Sequence, residues 1–417
     1  MTPSGSPAPK DSAGSGRRWL SIIGVGEDGV EGLSAPARQA VAEAGVVYGG
    51  RRHLRLLASL IRGRTAPWPS PIRAAVPEIE ALSRTPVAVL ASGDPFHHGI
   101  GSVLAQRIEA AEMAVFPAPS SFALAAGRLG WALQDVETVS LCGPPLETLL
   151  PFLQPNRRVL VLSADESTPL AVARFLTGHG FGASTVIVLE ALGGPDERIR
   201  RCPADRFDLP DVARLNLIAI CVAAAPEARI VPVAAGLADR LFESDGTMTK
   251  REIRAVTLSS LAPRAGELLW DIGAGSGSVA IEWLLAHPAN RAVGVERRGD
   301  RAATANRNAA SLGVPHLEIV VGEAPGALKA LPAPDAVFVG GGAAGAGVLE
   351  AAWQALAPGG RLVANSVTLE SDLALGAFVE RTRGTLTRLS VERLDRIGEM
   401  RGFRPAMTVT QFLAIKR

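Results

Sequence analysis

Asp271 and three alternating glycines, Gly273, Gly275 and Gly277, carry the densest chemical signal in this 417-residue sequence. They stand in LLWDIGAGSGS, with Ala274 and Ser276 between the glycines. Glycine lets a ligand approach the backbone where a Cβ would intrude. The apolar run around the aspartate reads as a buried strand and SVAIEW as a helix, the kind of turn at which nucleotide-type ligands are held. Glu296 ends the next apolar run, where a carboxylate reaches both hydroxyls of a ribose. Gly322, Glu323 and Ala324 follow the third, where backbone groups read an adenine edge. A dinucleotide fingerprint would be spaced GxGxxG, with a helix N-terminus facing a pyrophosphate. The spacing here is GxGxG behind an acidic residue, which suits an ammonium-bearing ligand without a pyrophosphate; the dinucleotide stays as the competing reading.

Three further loops, all in the first half, follow β-type runs. Gly24, Gly26 and Gly29 lie in GVGEDGVEGLS, Ser92, Gly93, Asp94 and Pro95 in LASGDPFHHGIG, and Pro119, Ser120 and Ser121 in PAPSSFALAAGRLG. Each alone reads as a capped turn; the three together read as the rim of a second small-molecule cleft. Asp94 either contacts the ligand or closes its own turn. His97 and His98 have no third ligand spaced nearby, so they read as loop residues and no metal site is expected.

The elements that place these loops are legible as alternating strands and helices. WLSIIGVG, VAVLASGDP, RVLVLSAD, STVIVLEALGG and LNLIAICVA read as strands. SAPARQAVAEAG reads as a helix capped by Ser34, with Pro36 in its first turn and Gly45 beyond its end. From Glu267 the order is strand ELLWDIGAG, helix SVAIEWLLAHP, strand RAVGVE and helix DRAATANRNAASLG. Strands LEIVVGE, PDAVFVGGG and GRLVANS follow. Ala302, Ala305, Ala309 and Leu312 keep a helical spacing, so that face is expected to pack on a sheet. This alternation predicts an α/β protein of two different domains, with no sequence repeat between them. The domains are read as 17–225 and 246–417, with a Pro/Ala/Gly-rich boundary at 226–245. Residues 1–16 read as a flexible tail, without the apolar core of a signal peptide.

Composition narrows the partners. Lys and Arg number 43 against 41 Asp and Glu, a net charge of +2, and aromatic residues make up 5%. That balance argues against a nucleic-acid partner. The longest apolar run, Leu217 to Ala225, falls far short of the roughly 20 residues of a membrane span, so no membrane partner is expected. Cys142, Cys202 and Cys221 form neither a disulfide framework nor a CxxC pair, which fits a reduced cytoplasm.

GxGxG behind Asp271, with LAPGGRLV near the penultimate strand, resembles the class I S-adenosylmethionine-dependent methyltransferases, whose fold is Rossmann-like. The first-half loops resemble the tetrapyrrole (class III) methylase family, in which the same cofactor lies between two α/β lobes. ASGDPFHHGIG and PAPSSFALAAGRLGW are close to the precorrin-6Y branch of that family. TKREIRAVTLSSLAP, VVGEAP, PDAVFVGGG and PGGRLVANSVTLE resemble the partner domain of the branch. From about Arg17 onward, then, the chain resembles the fused precorrin methyltransferases of cobalamin synthesis. It departs from the family pattern at Cys142 and Pro144 in SLCGPPLE, and its first loop lacks the proline common in the wider methylase family.

The resemblance implies one S-adenosylmethionine site per domain and two methyl transfers, to meso carbons 5 and 15 of a reduced tetrapyrrole. It also implies loss of carbon dioxide from the ring C acetate, and a homo-tetramer built through the second domain. The alternatives are a cobalt-bearing substrate and, from another class, a NAD(P)-dependent oxidoreductase. A methyl sulfonium is already activated, so alignment and exclusion of water suffice, and no metal or nucleophile set is needed. Thr249 is placed against the cofactor by the resemblance. A carboxylate-rich substrate implies cationic walls. Arg51, Arg52 and His53 are the candidates in the first domain, and Lys250, Arg251 and Arg254 in the second. Lys250 and Arg251, with Asn365 and Glu370, are also the candidate catalytic residues. Gly340, Gly341 and Gly342 stand where amino-methylating members of the fold carry an Asn- or Asp-Pro-Pro-aromatic turn; Gly341 is thus expected to face a broad substrate.

Overall fold

Runs such as VAVLAS and NLIAIC bury every side chain but the last, as strands covered by helices on both faces must. Strands of this kind organise the computed structural model, which describes residues 18–417; the tail read at 1–16 lies outside them. The described residues form two compact units, one from 18–144 and 155–229, the other from Pro145–Gln154 and Ile230–Arg417.

The first unit holds two five-stranded sheets. β1 (Leu20–Val25), β2 (Val46–Gly49), β3 (Arg64–Pro67), β4 (Val87–Ser92) and β5 (Met113–Phe116) are parallel, in the order β3-β2-β4-β1-β5. β6 (Val136–Ser140), β7 (Arg158–Leu162), β8 (Thr185–Glu190), β9 (Arg198–Pro203) and β10 (Asn216–Cys221) form the order β6-β7-β10-β8-β9, antiparallel except for β6 with β7. The helices are α1 (Ala35–Glu43), α2 (Arg51–Leu56), α3 (Val76–Glu80), α4 (Ile100–Leu104), α5 (Ser121–Leu129) and α6 (Thr168–Gly178). Ser34 caps α1 by accepting the Ala37 N–H at 3.4 Å, as its position before a proline-bearing first turn suggests.

In the second unit the strands are β11 (Leu268–Ile272), β12 (Arg291–Glu296), β13 (Glu318–Val321), β14 (Ala336–Val339), β15 (Arg361–Ser366), β16 (Thr385–Leu389), β17 (Glu392–Ile397), β18 (Met400–Pro405) and β19 (Val409–Ile415). β17 and β18 form a separate two-stranded ribbon. The rest make a seven-stranded sheet in the order β13-β12-β11-β14-β15-β19-β16, parallel up to β15, with β19 antiparallel to both neighbours. α7 (Arg251–Leu261), α8 (Ser278–Ala286), α9 (Gly299–Ser311), α10 (Val348–Ala355) and α11 (Leu369–Thr382) complete it. Ala302, Ala305, Ala309 and Leu312 are all buried, as their spacing predicts. Strand order reverses between β11 and β14, the switch point at which open α/β sheets bind ligands.

Two segments differ from the sequence reading. Pro145–Gln154, read inside the first domain, groups with the second unit, and Gln154 Nε2 donates to Val231 O at 2.8 Å. The stretch read as a boundary is partly bound to the second unit as well: Gly236 N and Leu237 N donate to the Glu282 carboxylate at 2.6 and 2.9 Å. A buried carboxylate in the apolar helix α8 requires such donors, and the strap supplies them.

Candidate active sites

The glycine loop of the second unit leaves β11 at the switch point and enters α8. Gly273 and Gly275 hold φ of +75° and +56°, the left-handed region that a side chain strains. Asp271 is 1% exposed; its Oδ2 accepts the Ala280 N–H at 3.1 Å, while Oδ1 has no hydrogen-bond partner. Burial pushes its pKa up to about 7, and the neighbouring Glu296 adds to the rise. Glu296, at the end of β12, accepts the N–H groups of Gly275 and Arg298, both at 2.9 Å. Ser276 Oγ is another buried polar atom without a partner.

These residues surround a cavity of about 720 Å³, the size of a small-molecule site. Thr249, Lys250, Asp271, the loop from Gly273 to Ser276, Glu296, Gly322, Glu323, Ala324, Gly341 and Asn365 all line it. An orphaned carboxylate oxygen suits an ammonium group, and Glu296 a ribose. The chemistry present fits S-adenosylmethionine. Gly277 does not line the cavity: a Cβ there would sit 3.1 Å from Ala305 Cβ, so this glycine serves the packing of α8 on α9. At the other end Asn365 Nδ2 donates to Thr257 Oγ1 at 2.8 Å and Asn365 Oδ1 accepts from Gln411 Nε2 at 3.0 Å. Val367, Val391 and Met407 give that end an apolar wall, and Arg393 adds a second cation beside Lys250 to its lining. Gln411, Arg393 and Met407 belong to none of the sequence motifs, and nothing in the sequence marks them.

Three expected second-unit residues are corrected. Arg254 is fully buried and cannot meet substrate. Its Nε bonds Glu282 Oε1 at 2.5 Å, its Nη1 reaches Thr249 O at 2.6 Å and Asp239 Oδ1 at 3.2 Å, and its Nη2 donates to Leu237 O. It ties the strap to α7. Arg251 opens α7 outside the cavity, with Nε donating to Gly236 O at 3.0 Å. Glu370 is exposed in the first turn of α11, where an acidic side chain complements the helix dipole, and it too lies outside the cavity.

In the first unit the three loops meet at the ends of the adjacent strands β4, β1 and β5. A Cβ on Gly24 would collide with Gly93 O and lie 2.5 Å from Ala118 N; one on Gly93 would lie 2.8 Å from Pro119 O. On Gly26 it would stand 2.5 Å from Asp28 Oδ1. Asp94 Oδ1 accepts the Phe96 N–H at 2.8 Å and so closes its own turn. Ser120 caps α5 through the Ala123 N–H at 3.2 Å, and Ser121 is the first residue of that helix. His97 and His98 stack with ring centroids 5.3 Å apart, beside Phe122. Arg51 is exposed at the start of α2. Arg52 is paired with Glu27 and donates to Ser92 Oγ at 3.3 Å. His53 is buried, with Nε2 3.1 Å from Ser92 Oγ; burial, then the Arg52 charge, lowers its pKa to about 4. At neutral pH it is therefore an uncharged hydrogen-bonding group, which corrects its expected role as a cationic partner for carboxylates.

Fold and sites together define a two-domain S-adenosylmethionine-dependent methyltransferase. Residues 20–208 match the family of Tetrapyrrole (Corrin/Porphyrin) Methylases, and residues 240–416 match the Precorrin methyltransferase domain. The chain is 55% identical over 394 residues to the precorrin-6Y C(5,15)-methyltransferase [decarboxylating] of Sinorhizobium sp, covering 94% of this chain and 95% of that one. It is 40% identical over 403 residues to the protein of the same name from Mycobacterium tuberculosis, covering 95% and 100%. A 162-residue match, 33% identical, links it to the cobalt-precorrin-6B C(15)-methyltransferase (decarboxylating) of Salmonella typhimurium, covering 38% of this chain and 83% of that one. The chain belongs to the family of decarboxylating precorrin-6Y C(5,15)-methyltransferases.

Proposed function

We propose that this chain methylates a precorrin at carbons 5 and 15 and decarboxylates its ring C acetate, with one cofactor site in each unit. The observation that carries the reading is the cavity at the β11 switch point, where an orphaned buried carboxylate and Glu296 frame one end and Asn365, Lys250 and apolar walls frame the other. When bound, S-adenosylmethionine supplies an activated methyl group. Asp271, through its unpartnered Oδ1, would hold the ammonium group, and the Glu296 carboxylate would hold the ribose. Asn365, held by Thr257 and Gln411, orients the substrate, and the apolar wall keeps water out. The macrocycle provides its own nucleophilic carbons, and its protonated ring nitrogen accepts the electrons released with carbon dioxide. No strong base is needed from the chain.

Carbon 15 and the decarboxylation belong to the second unit in this reading, and carbon 5 to the first. The Salmonella relative, named for carbon 15 and decarboxylation, matches over the length of one domain rather than two. Arg51 and Arg52 remain the carboxylate partners proposed for the first cleft. The substrate is read as metal-free, because the relatives that match the whole chain are named for precorrin rather than cobalt-precorrin. No helix among the described residues is long and apolar enough to cross a membrane. The reading places the enzyme in the cytoplasm, without nucleic-acid or membrane partners, as a tetramer built through the second unit. The exposed cross-strand pair Leu394–Phe403 supports that assembly. NMR of the product formed from ¹³C-methyl cofactor should show label at carbons 5 and 15; label at a single carbon contradicts the two-centre reading.

A further inference from the structure

The substrate end of the second-unit cavity is walled partly by the chain that enters and leaves the β17–β18 ribbon, through Val391, Arg393 and Met407. Arg393 pairs across the ribbon with Arg404, and Leu394 with Phe403. Strand alternation puts these pairs on opposite faces. Arg393 lines the cavity, whereas Leu394 and Phe403, 56% and 67% exposed, lie on the other face of the ribbon. Arg404 is engaged by Asp395 at 3.2 Å. Arg393 is paired instead with Glu252, in the first turn of α7, which does not line the cavity.

We propose that Arg393 selects a carboxylate-bearing substrate at this end of the cavity, and that Glu252 holds its guanidinium in place until a substrate carboxylate displaces it. The inference rests on the tetrapyrrole reading of the site and names the residue that reads the ligand's charge. Exchange of partners is cheap: both side chains are 46% exposed, and an ion pair so hydrated contributes little. A carboxylate brought in on a macrocycle meets the same guanidinium beside Met407 and Val391, where less water competes and a forked, two-point contact is strengthened. Lys250 offers a second positive point, its Nζ donating to Gly246 O at 3.3 Å.

Carbon dioxide release from precorrin-6Y by the full-length chain reads this cavity. Uroporphyrin, an octacarboxylate tetrapyrrole, serves as a non-reacting competitor, and its octamethyl ester as the uncharged control. Arg393→Ala should raise KM and the uroporphyrin inhibition constant about tenfold, with kcat largely retained. Arg393→Lys should recover part of the loss, and Glu252→Gln should lower both constants severalfold by removing the competing anion. S-Adenosylhomocysteine affinity should not change in any variant. Unchanged KM and inhibition in Arg393→Ala, or equal inhibition by acid and ester in the parent enzyme, overturns the proposal. No carbon dioxide released by the parent enzyme would instead overturn the underlying reading of the site.

Discussion

Asp271→Asn separates what the buried carboxylate costs the free protein from what it gives the cofactor. Its pKa stands at about 7 rather than 3.8, so the ionised form carries a penalty of about 4 kcal/mol. Because the folded value lies above the unfolded one, the folded chain holds an extra proton between about pH 4 and pH 7. The stability associated with that proton is lost as pH rises through the window. Asparagine keeps an acceptor for the Ala280 N–H and fills the unpartnered position with an amide. The ligand-free variant should match the parent only below about pH 4, gain on it steadily as pH rises, and exceed its stability by up to about 4 kcal/mol at pH 8. Cofactor binding should show the reverse. An ammonium group needs the ionised carboxylate, so the parent should bind S-adenosylhomocysteine about tenfold more weakly at pH 6 than at pH 8. In the variant this slope should vanish, and affinity at pH 8 should fall by roughly 10- to 100-fold. Titration calorimetry of the full chain at three pH values gives both numbers, with the first-unit site as internal reference. Equal affinity of variant and parent at pH 8, or a flat parent profile, would show that the Asp271 carboxylate does not hold the ammonium group.

Gly24→Ala should remove the first-unit site alone, because the added methyl collides with Gly93 O; calorimetric stoichiometry should fall from two cofactor equivalents to one. Arg254→Ala leaves Glu282 buried without its guanidinium and should cost roughly 3–5 kcal/mol in urea unfolding; a loss below about 1 kcal/mol would show that the strap does not depend on it. His53 makes stability fall as pH drops, since the unfolded state takes up a proton from about pH 6.5 and the folded state only near about pH 4. The effect reaches up to about 3 kcal/mol and opposes the Asp271 slope, so it should be read as the difference between parent and His53→Gln; parallel profiles would contradict it.

Legibility in the sequence followed the physics of each element. From Leu268 to Ser366, apolar strands alternate with a small-residue helix face, and the glycine loop has to sit between the first strand and helix. The succession of elements, the glycine loop and much of the cavity lining are readable there. The C-terminal strands were not: β17 exposes all six side chains and β16 four of five, so neither an apolar run nor an alternation marks them. Arg393 and Gln411 enter the site from that stretch. Arg254 reads as one of several candidate substrate-binding cations in TKREIR. Its counter-charge lies 28 residues on, and the sole hint was a lone glutamate, Glu282, inside the apolar SVAIEWLLA. His53 looked cationic beside two arginines, but α2 turns it inward onto Ser92. Gly277 fell in the loop pattern, yet serves the α8–α9 contact.

Two cofactor-dependent centres on one chain are proposed to act on a single tetrapyrrole. Mass spectrometry of precorrin-6Y incubated with the full-length enzyme and S-adenosylmethionine tests it most directly. The expected product has gained two methyl groups and lost one carbon dioxide. A product with one methyl group, or with both methyl groups and its carboxylates intact, would contradict it.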